Sequence, residues 1–76
     1  MTTLGEQRVR TGFNPSGDTD VNQIKRMTAD CIDWCEERKQ RHAKNALGLS
    51  EINRLLVLAQ EHFEVAAMFA VKARTG

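Results

Sequence analysis

The segment "RVRTGFNPSGD", residues 8–18, combines residue types that suit binding of a nucleotide. Arg8 and Arg10 carry guanidinium groups, which bind phosphate through paired hydrogen bonds. Phe13 offers a ring face on which a base can stack. The same ring could instead pin the segment to a hydrophobic groove, and the residue types alone leave both interpretations open.

The "NPSG" run, residues 14–17, predicts a turn that folds this segment back on the chain. Asn14 can bond the backbone ahead of it, and Pro15 fixes its own backbone angle. Asn14 and Ser16 also offer an amide and a hydroxyl group to a base edge or a ribose. Lys25, about two turns into the helix that follows, is within reach of the folded segment. The sequence therefore predicts a nucleotide pocket built from cations, one aromatic ring and a few polar groups.

Catalytic motifs are not found in the sequence. It has no glycine-rich phosphate loop, no HExxH and no nucleophile elbow. His42 and His62 fall on different predicted helices, and Asp30 and Asp33 are typical of a solvated acidic edge. We therefore predict a binding protein rather than an enzyme, with no catalytic residues, no metal and no cofactor.

The two cysteines, Cys31 and Cys35, are four residues apart on one predicted helix, where disulfide geometry is unfavourable. A structural zinc site needs four ligands, so we expect two small core residues in a reducing compartment. The sequence shows no signal peptide and no long apolar run. We expect no membrane partner and a cytoplasmic location, in the host cell if a phage encodes the protein.

The sequence predicts that an N-terminal arm followed by two long helices positions these residues. Residues 1–19 hold three of the five glycines and the single proline, which predicts an extended or looped N-terminal arm. Apolar residues at three- and four-residue steps predict one helix at about 20–45 and a second at about 51–74. Gly48 suits the end of the first helix and Ser50 the cap of the second. The expected fold is all-α, an antiparallel two-helix hairpin over residues 20–76.

The second helix has two apolar stripes, and one neighbouring helix cannot cover both. A helix that is apolar on two sides is usually buried on two sides. A chain of 76 residues is also short for a self-sufficient core. We therefore expect a homo-oligomer of hairpins. One stripe comprises Ile52, Leu55, Leu56, Ala59, Phe63, Ala66, Ala70 and Ala73, and the other comprises Leu58, Val65, Met68 and Phe69.

The charge balance is near neutral, with 11 basic and 10 acidic residues and a formal net charge of +1. A general nucleic-acid binder carries a stronger basic excess, because most of its affinity comes from phosphate contacts. A local anion site is compatible with this balance. The composition thus argues against a nucleic acid polymer as the partner.

Three stretches together resemble a known group: "RVRTGFNPSGD", "VNQIKRMTADCID" and "AQEHFEVAAMFAVKART". They are similar to the small phage helical-hairpin proteins that act as nucleotide sponges against the CBASS and Thoeris defences. The resemblance implies that the protein sequesters cyclic oligonucleotides or cyclic ADP-ribose variants without cleaving them. It also implies dimers of hairpins, commonly assembled into hexamers, with ligand pockets between subunits.

The resemblance implies site residues as well. Phe13 is similar in position to an arm aromatic that stacks on a base, and Lys25 to a lysine that contacts phosphate. Thr28 is similar to a residue of a separate cyclic-trinucleotide site. Lys72 and Arg74 resemble basic residues that face ADP-ribose-type ligands. The alternative left open by the residues themselves is a self-associating hairpin that docks another protein.

Overall fold

The computed structural model describes residues 2–15, 17–42 and 49–76, and it contains three helices. They are α1 (Leu4–Val9), α2 (Thr19–His42) and α3 (Leu49–Thr75). Within the described residues the chain is all-helical and has no strand. The predicted connection around Gly48 lies outside the described residues. α3 begins at Leu49, one residue before the serine expected to cap it.

The expectation that the arm is only extended or looped was wrong, because α1 forms within it. Thr3 caps this helix: its hydroxyl accepts a hydrogen bond from the Glu6 amide at 3.1 Å. In return the Glu6 carboxylate accepts one from the Thr3 amide at 2.7 Å. This reciprocal pair is a capping box, and Arg10 ends the helix in the left-handed region with φ 57°.

α1 docks closely on α2 at Gly5. The Gly5 amide donates a hydrogen bond to the Asp33 carboxylate at 2.7 Å. A β-carbon at Gly5 would lie 2.0 Å from the Ala29 carbonyl oxygen, so only glycine permits this approach. Arg26 on α2 reaches back to Glu6 at 2.9 Å. The helix is therefore held at its start by a close backbone contact and two polar interactions.

The hydrophobic core lies where the three helices meet. Its buried residues are Val9, Ala29, Ile32 and Ala67, with Leu4 and Phe63 packed at its edge. Both cysteines are free; Cys35 is buried and Cys31 half-buried. Burial raises the pKa of the Cys35 thiol, which favours the unreactive protonated form.

α2 and α3 are joined in the interior by a buried glutamine. Gln60, fully buried on α3, donates to the Ile32 carbonyl and to the Glu36 carboxylate, each at 3.1 Å. Its side-chain oxygen lies 3.4 Å from the Lys39 ammonium. A buried amide is stable only where its partners are in place, so this group favours one register of the two helices.

The end of α3 is tied to the start of α2. The Asp18 carboxylate caps α2 by accepting from the amides of Asp20 and Val21 at 2.8 and 3.2 Å. Arg74 pairs with Asp18 and with Asp20, each at 3.0 Å. The pKa of Asp18 is lowered first by the hydrogen bond from the Val21 amide, and then by the charge of Arg74 and the hydrogen bond from the Asp20 amide.

Candidate functional site

A cleft of about 520 Å³ lies between the end of α1, the second turn of α2 and the C-terminal half of α3. The α3 residues recur at steps of three or four along one face of that helix. Its lining combines four cationic side chains, one carboxylate and an apolar floor. The lining residues are Arg8, Val9, Arg10, Lys25, Glu64, Ala67, Met68, Val71, Lys72 and Thr75.

The four cations of the cleft have no carboxylate partner among the residues that the structure describes. Several cationic side chains elsewhere on the molecule are paired with carboxylates, among them Arg26 with Glu6, Arg41 with Glu37 and Lys39 with Glu36. An uncompensated group of cations in a concave site attracts anions. The cleft therefore has the electrostatic character of a phosphate site.

Lys25 is the most buried of these cations, at 8% exposed. Its ammonium donates to the Arg10 carbonyl at 3.1 Å and to the Phe13 carbonyl. Burial, and then the neighbouring charge of Arg10, lower its pKa. An ammonium has three protons, so one remains for a ligand after it has fixed the backbone of the arm. Lys25 thus shapes the cleft as well as lining it.

Phe13 lies beside the cleft and is 54% exposed. The Arg10 guanidinium lies 4.7 Å from the ring centroid and the Lys25 ammonium 5.5 Å from it, within cation–π range. Phe13 lines a second cleft of about 300 Å³, and Lys25, Val71 and Thr75 line both. An exposed aromatic ring therefore adjoins the cationic cleft, in reach of one ligand.

Asn14 makes hydrogen bonds that hold the turn predicted at residues 14–17. Its amide donates to the Asp18 carbonyl and to the Asn22 side chain, each at 2.8 Å. The Gly17 amide bonds the Asn14 carbonyl at 3.1 Å, and Gly17 has a positive φ of 67°. Asn14 also lines the smaller cleft, where its remaining surface faces the same space as Phe13.

Two sequence-predicted residues lie apart from the cationic cleft. The Thr28 hydroxyl is buried and lies 2.8 Å from the Ile24 carbonyl oxygen of its own helix. Arg74 lines a different depression with Asp20, to which it is paired. The structure therefore brings together Arg8, Arg10, Lys25 and Lys72, with Phe13 and Asn14 next to them.

Apart from Lys72, which the family resemblance implied, the prediction from sequence missed the α3 wall of the cleft, above all Glu64. The signal was present: Glu64, Met68, Val71, Lys72 and Thr75 recur at steps that place them on one helix face. Apolar periodicity alone does not reveal this face, because two of its members, Glu64 and Lys72, are charged.

No group of three or more metal-ligating side chains occurs in the part of the chain that the structure describes. The His62 ring nitrogen Nδ1 lies 2.7 Å from the Leu58 carbonyl of its own helix, and the His42 side chain lies outside the described residues. Among the described helices, none has a stretch apolar and long enough to span a bilayer.

Comparison with known proteins gives one family. The model of the Acb2/Tad1 hairpin domain matches residues 5–75, which is nearly the whole chain. No curated protein and no solved structure matches. The resemblance noted in the sequence is confirmed: the chain belongs to the Acb2/Tad1 hairpin-domain family, the anti-CBASS and anti-Thoeris nucleotide sponges of phages.

Proposed function

We propose that this protein binds a cyclic nucleotide immune messenger in the cationic cleft and holds it without chemical change. The observation that carries the proposal is the group of four cations, Arg8, Arg10, Lys25 and Lys72, none paired with a described carboxylate. Membership of a sponge family supports the same function. The ligand class is the cyclic di- and trinucleotides or the cyclic ADP-ribose variants.

The cleft offers each part of such a ligand a matching group. Arg8 and Lys72 have no hydrogen bond or ion pair from their side chains to the described residues, so their donors are available to phosphate oxygens. Phe13 offers a stacking face, worth about 1–3 kcal/mol per base. Phosphate–cation contacts are stronger in a partly closed site than in open water. Binding of this kind needs neither a metal nor a cofactor.

The proposal extends to assembly. Large apolar side chains of α3 are exposed in the single chain, among them Leu55, Val65, Met68 and Phe69, which is 69% exposed. A patch of this kind on a small protein marks an interaction surface. We infer a homo-oligomer built from dimers of hairpins, up to the hexamer that the family resemblance implies, acting in the cytoplasm of the host cell.

A calorimetric panel tests the function. The full chain is titrated with cyclic di-AMP, cyclic di-GMP, a cyclic trinucleotide and cyclic ADP-ribose isomers. Saturable binding to at least one of them, followed by chromatographic recovery of the unaltered ligand, is the expected result. A chain that binds none of them, or that releases a cleaved product, contradicts the proposal.

One observation favours the alternative, a hairpin that docks another protein. An apolar groove of about 470 Å³ runs between α2 and α3, and Trp34 at its edge is 54% exposed. Its lining residues are Asp30, Cys31, Trp34, Cys35, Leu56, Ala59 and Phe63. Silent calorimetry together with one dominant, stoichiometric protein partner in a pull-down is the result that would favour this function over the sponge.

A further inference from the structure

Among the described residues that line the cationic cleft, Glu64 is the one carboxylate. It is half-buried on α3, and its side chain makes no hydrogen bond or ion pair to the residues that the structure describes. A carboxylate beside uncompensated cations normally pairs with one of them. Glu64 instead leaves both its own acceptors and the nearby donors open, so it can take part in binding a ligand.

Glu64 and Lys72 lie at different points along the α3 wall of the cleft. Lys72 follows Glu64 by eight residues on the same helix, a distance of about 12 Å along the axis. Val71 and Thr75, near Lys72, also line the neighbouring cleft that contains Phe13. The α3 wall therefore carries a cation, Lys72, near the C-terminus of the helix and a carboxylate, Glu64, about two turns before it.

The chemistry of a carboxylate limits what it can bind at that point. An ionised carboxylate is acceptor-only and offers two oxygens to two adjacent donors. The Watson–Crick edge of guanine presents such a pair, the N1–H and the exocyclic N2 amine. Adenine presents one amine beside a ring nitrogen that is itself an acceptor, which places two lone pairs against each other.

We propose that Glu64 is the specificity-determining residue of the cleft and that it selects a guanine base while the phosphates bind the cations. This inference rests on the proposed sponge function. It predicts that a guanine-containing messenger binds more tightly than its adenine counterpart. The cyclic di-GMP and cyclic di-AMP rings share the same ribose–phosphate backbone, so the difference between them reports the base alone.

The test is a titration of cyclic di-GMP, cyclic di-AMP and cyclic di-IMP into the native chain and into Glu64→Gln. Cyclic di-IMP keeps the N1–H but lacks the exocyclic amine. We expect the native chain to bind cyclic di-GMP on the order of tenfold more tightly than cyclic di-AMP, with cyclic di-IMP between them. Glutamine offers one donor and one acceptor, which matches adenine. Glu64→Gln should therefore abolish or reverse the preference.

Glu61→Gln is the matched control, because Glu61 is exposed on the same helix and does not line the cleft. It should leave the preference unchanged. The inference is overturned if the native chain binds cyclic di-GMP, cyclic di-AMP and cyclic di-IMP with equal affinity. It is also overturned if Glu64→Gln binds all three more tightly by the same factor, which would show that the effect of Glu64 is purely electrostatic. Binding of cyclic ADP-ribose isomers alone overturns it while the sponge function stands. Binding of no nucleotide overturns both.

Discussion

At the scale of single residues, the site depends on a few side chains whose roles differ. Lys25 fixes the arm through two backbone carbonyls, whereas Lys72 has no partner for its ammonium among the described residues. A side chain such as Lys72, which holds no other part of the chain in place, should act mainly on ligand affinity. A side chain such as Lys25, which also holds the arm, should act on both the stability of the fold and the ligand affinity.

Gly5→Ala tests the close approach of α1 to α2. The added methyl group meets the Ala29 carbonyl oxygen, so α1 must move away. We expect a loss of about 1–3 kcal/mol in the free energy of unfolding, measured by urea denaturation, and weaker messenger binding. Gly12→Ala is the control, since its β-carbon meets no atom within 4 Å. Equal stability of the two variants would show that α1 does not pack as described.

Glu6→Gln tests the polar contacts of α1 through their dependence on pH. The Thr3 amide, and then Arg26, lower the pKa of Glu6 from 4.5 to about 2. Because the pKa of Glu6 is lower in the folded chain than in the unfolded chain, the ionised carboxylate stabilises the fold. This contribution is fully present above pH 4.5 and is lost as the pH falls toward 2. The melting temperatures of the native chain and the variant should therefore differ at pH 6 and converge between pH 4.5 and 2. A constant difference across this range contradicts the assignment.

At the scale of helices, α1 shows what the sequence could and could not predict. The two long helices follow from apolar periodicity, which extends over many turns. α1 has six residues, and glycine lies inside it, so periodicity carries no signal. Its cue was Thr3 with Glu6, the spacing of a capping box, but tertiary packing of Gly5 on Ala29 decides whether so short a helix forms.

The pairing of α2 with α3 is tested by Gln60→Ala. The substitution removes a buried amide, leaves Glu36 and Lys39 without this partner and opens a cavity. We expect a loss on the order of 2–4 kcal/mol in the free energy of unfolding. Glu61→Ala, at the next and exposed position, should change it by less than about 0.5 kcal/mol. A mild effect at Gln60 would contradict its role in fixing the register.

The tie between α3 and α2 is tested by comparing two variants of Asp18. Asp18→Asn keeps an oxygen that can cap α2 but removes the charge that pairs with Arg74. Asp18→Ala removes both. We expect Asp18→Ala to be less stable than Asp18→Asn by about 1 kcal/mol, the cost of a lost cap. High salt should weaken the native chain more than either variant. Identical stabilities of the two variants would argue against the cap.

At the scale of the whole molecule, the sequence predicted the arm side of the site but, apart from Lys72, not its α3 wall. Arg8, Arg10, Phe13 and Lys25 could be grouped because a turn connects them within a short stretch of chain. The α3 wall, with Glu64 and Lys72, comes from residues about forty positions further along, and only the packing of three helices brings it there. Arg74 was predicted to face the ligand, but it pairs with Asp18 and Asp20, which lie more than fifty positions earlier in the sequence and could not be recognised as its partners before the fold was known.

Self-association of the chain is a property of the whole molecule that can be measured. The exposed Met68 and Phe69 should be covered by another copy of the chain. Sedimentation should show an oligomer for the native chain and a smaller species for Phe69→Glu. Glu61→Lys, which also changes the charge of an exposed position on α3, should sediment as the native chain does. A native monomer contradicts the proposed assembly.

The affinity of Lys72→Ala for the cyclic nucleotide that the native chain binds most tightly decides whether the cationic cleft is the messenger site. Arg41→Ala is measured beside it, because Arg41 is an exposed cation on α2 that does not line the cleft. If the cleft is the messenger site, Lys72→Ala weakens binding about tenfold or more while its unfolding curve is unchanged, and Arg41→Ala binds as the native chain does. Equal affinities of the native chain and Lys72→Ala would show that the messenger does not bind in this cleft.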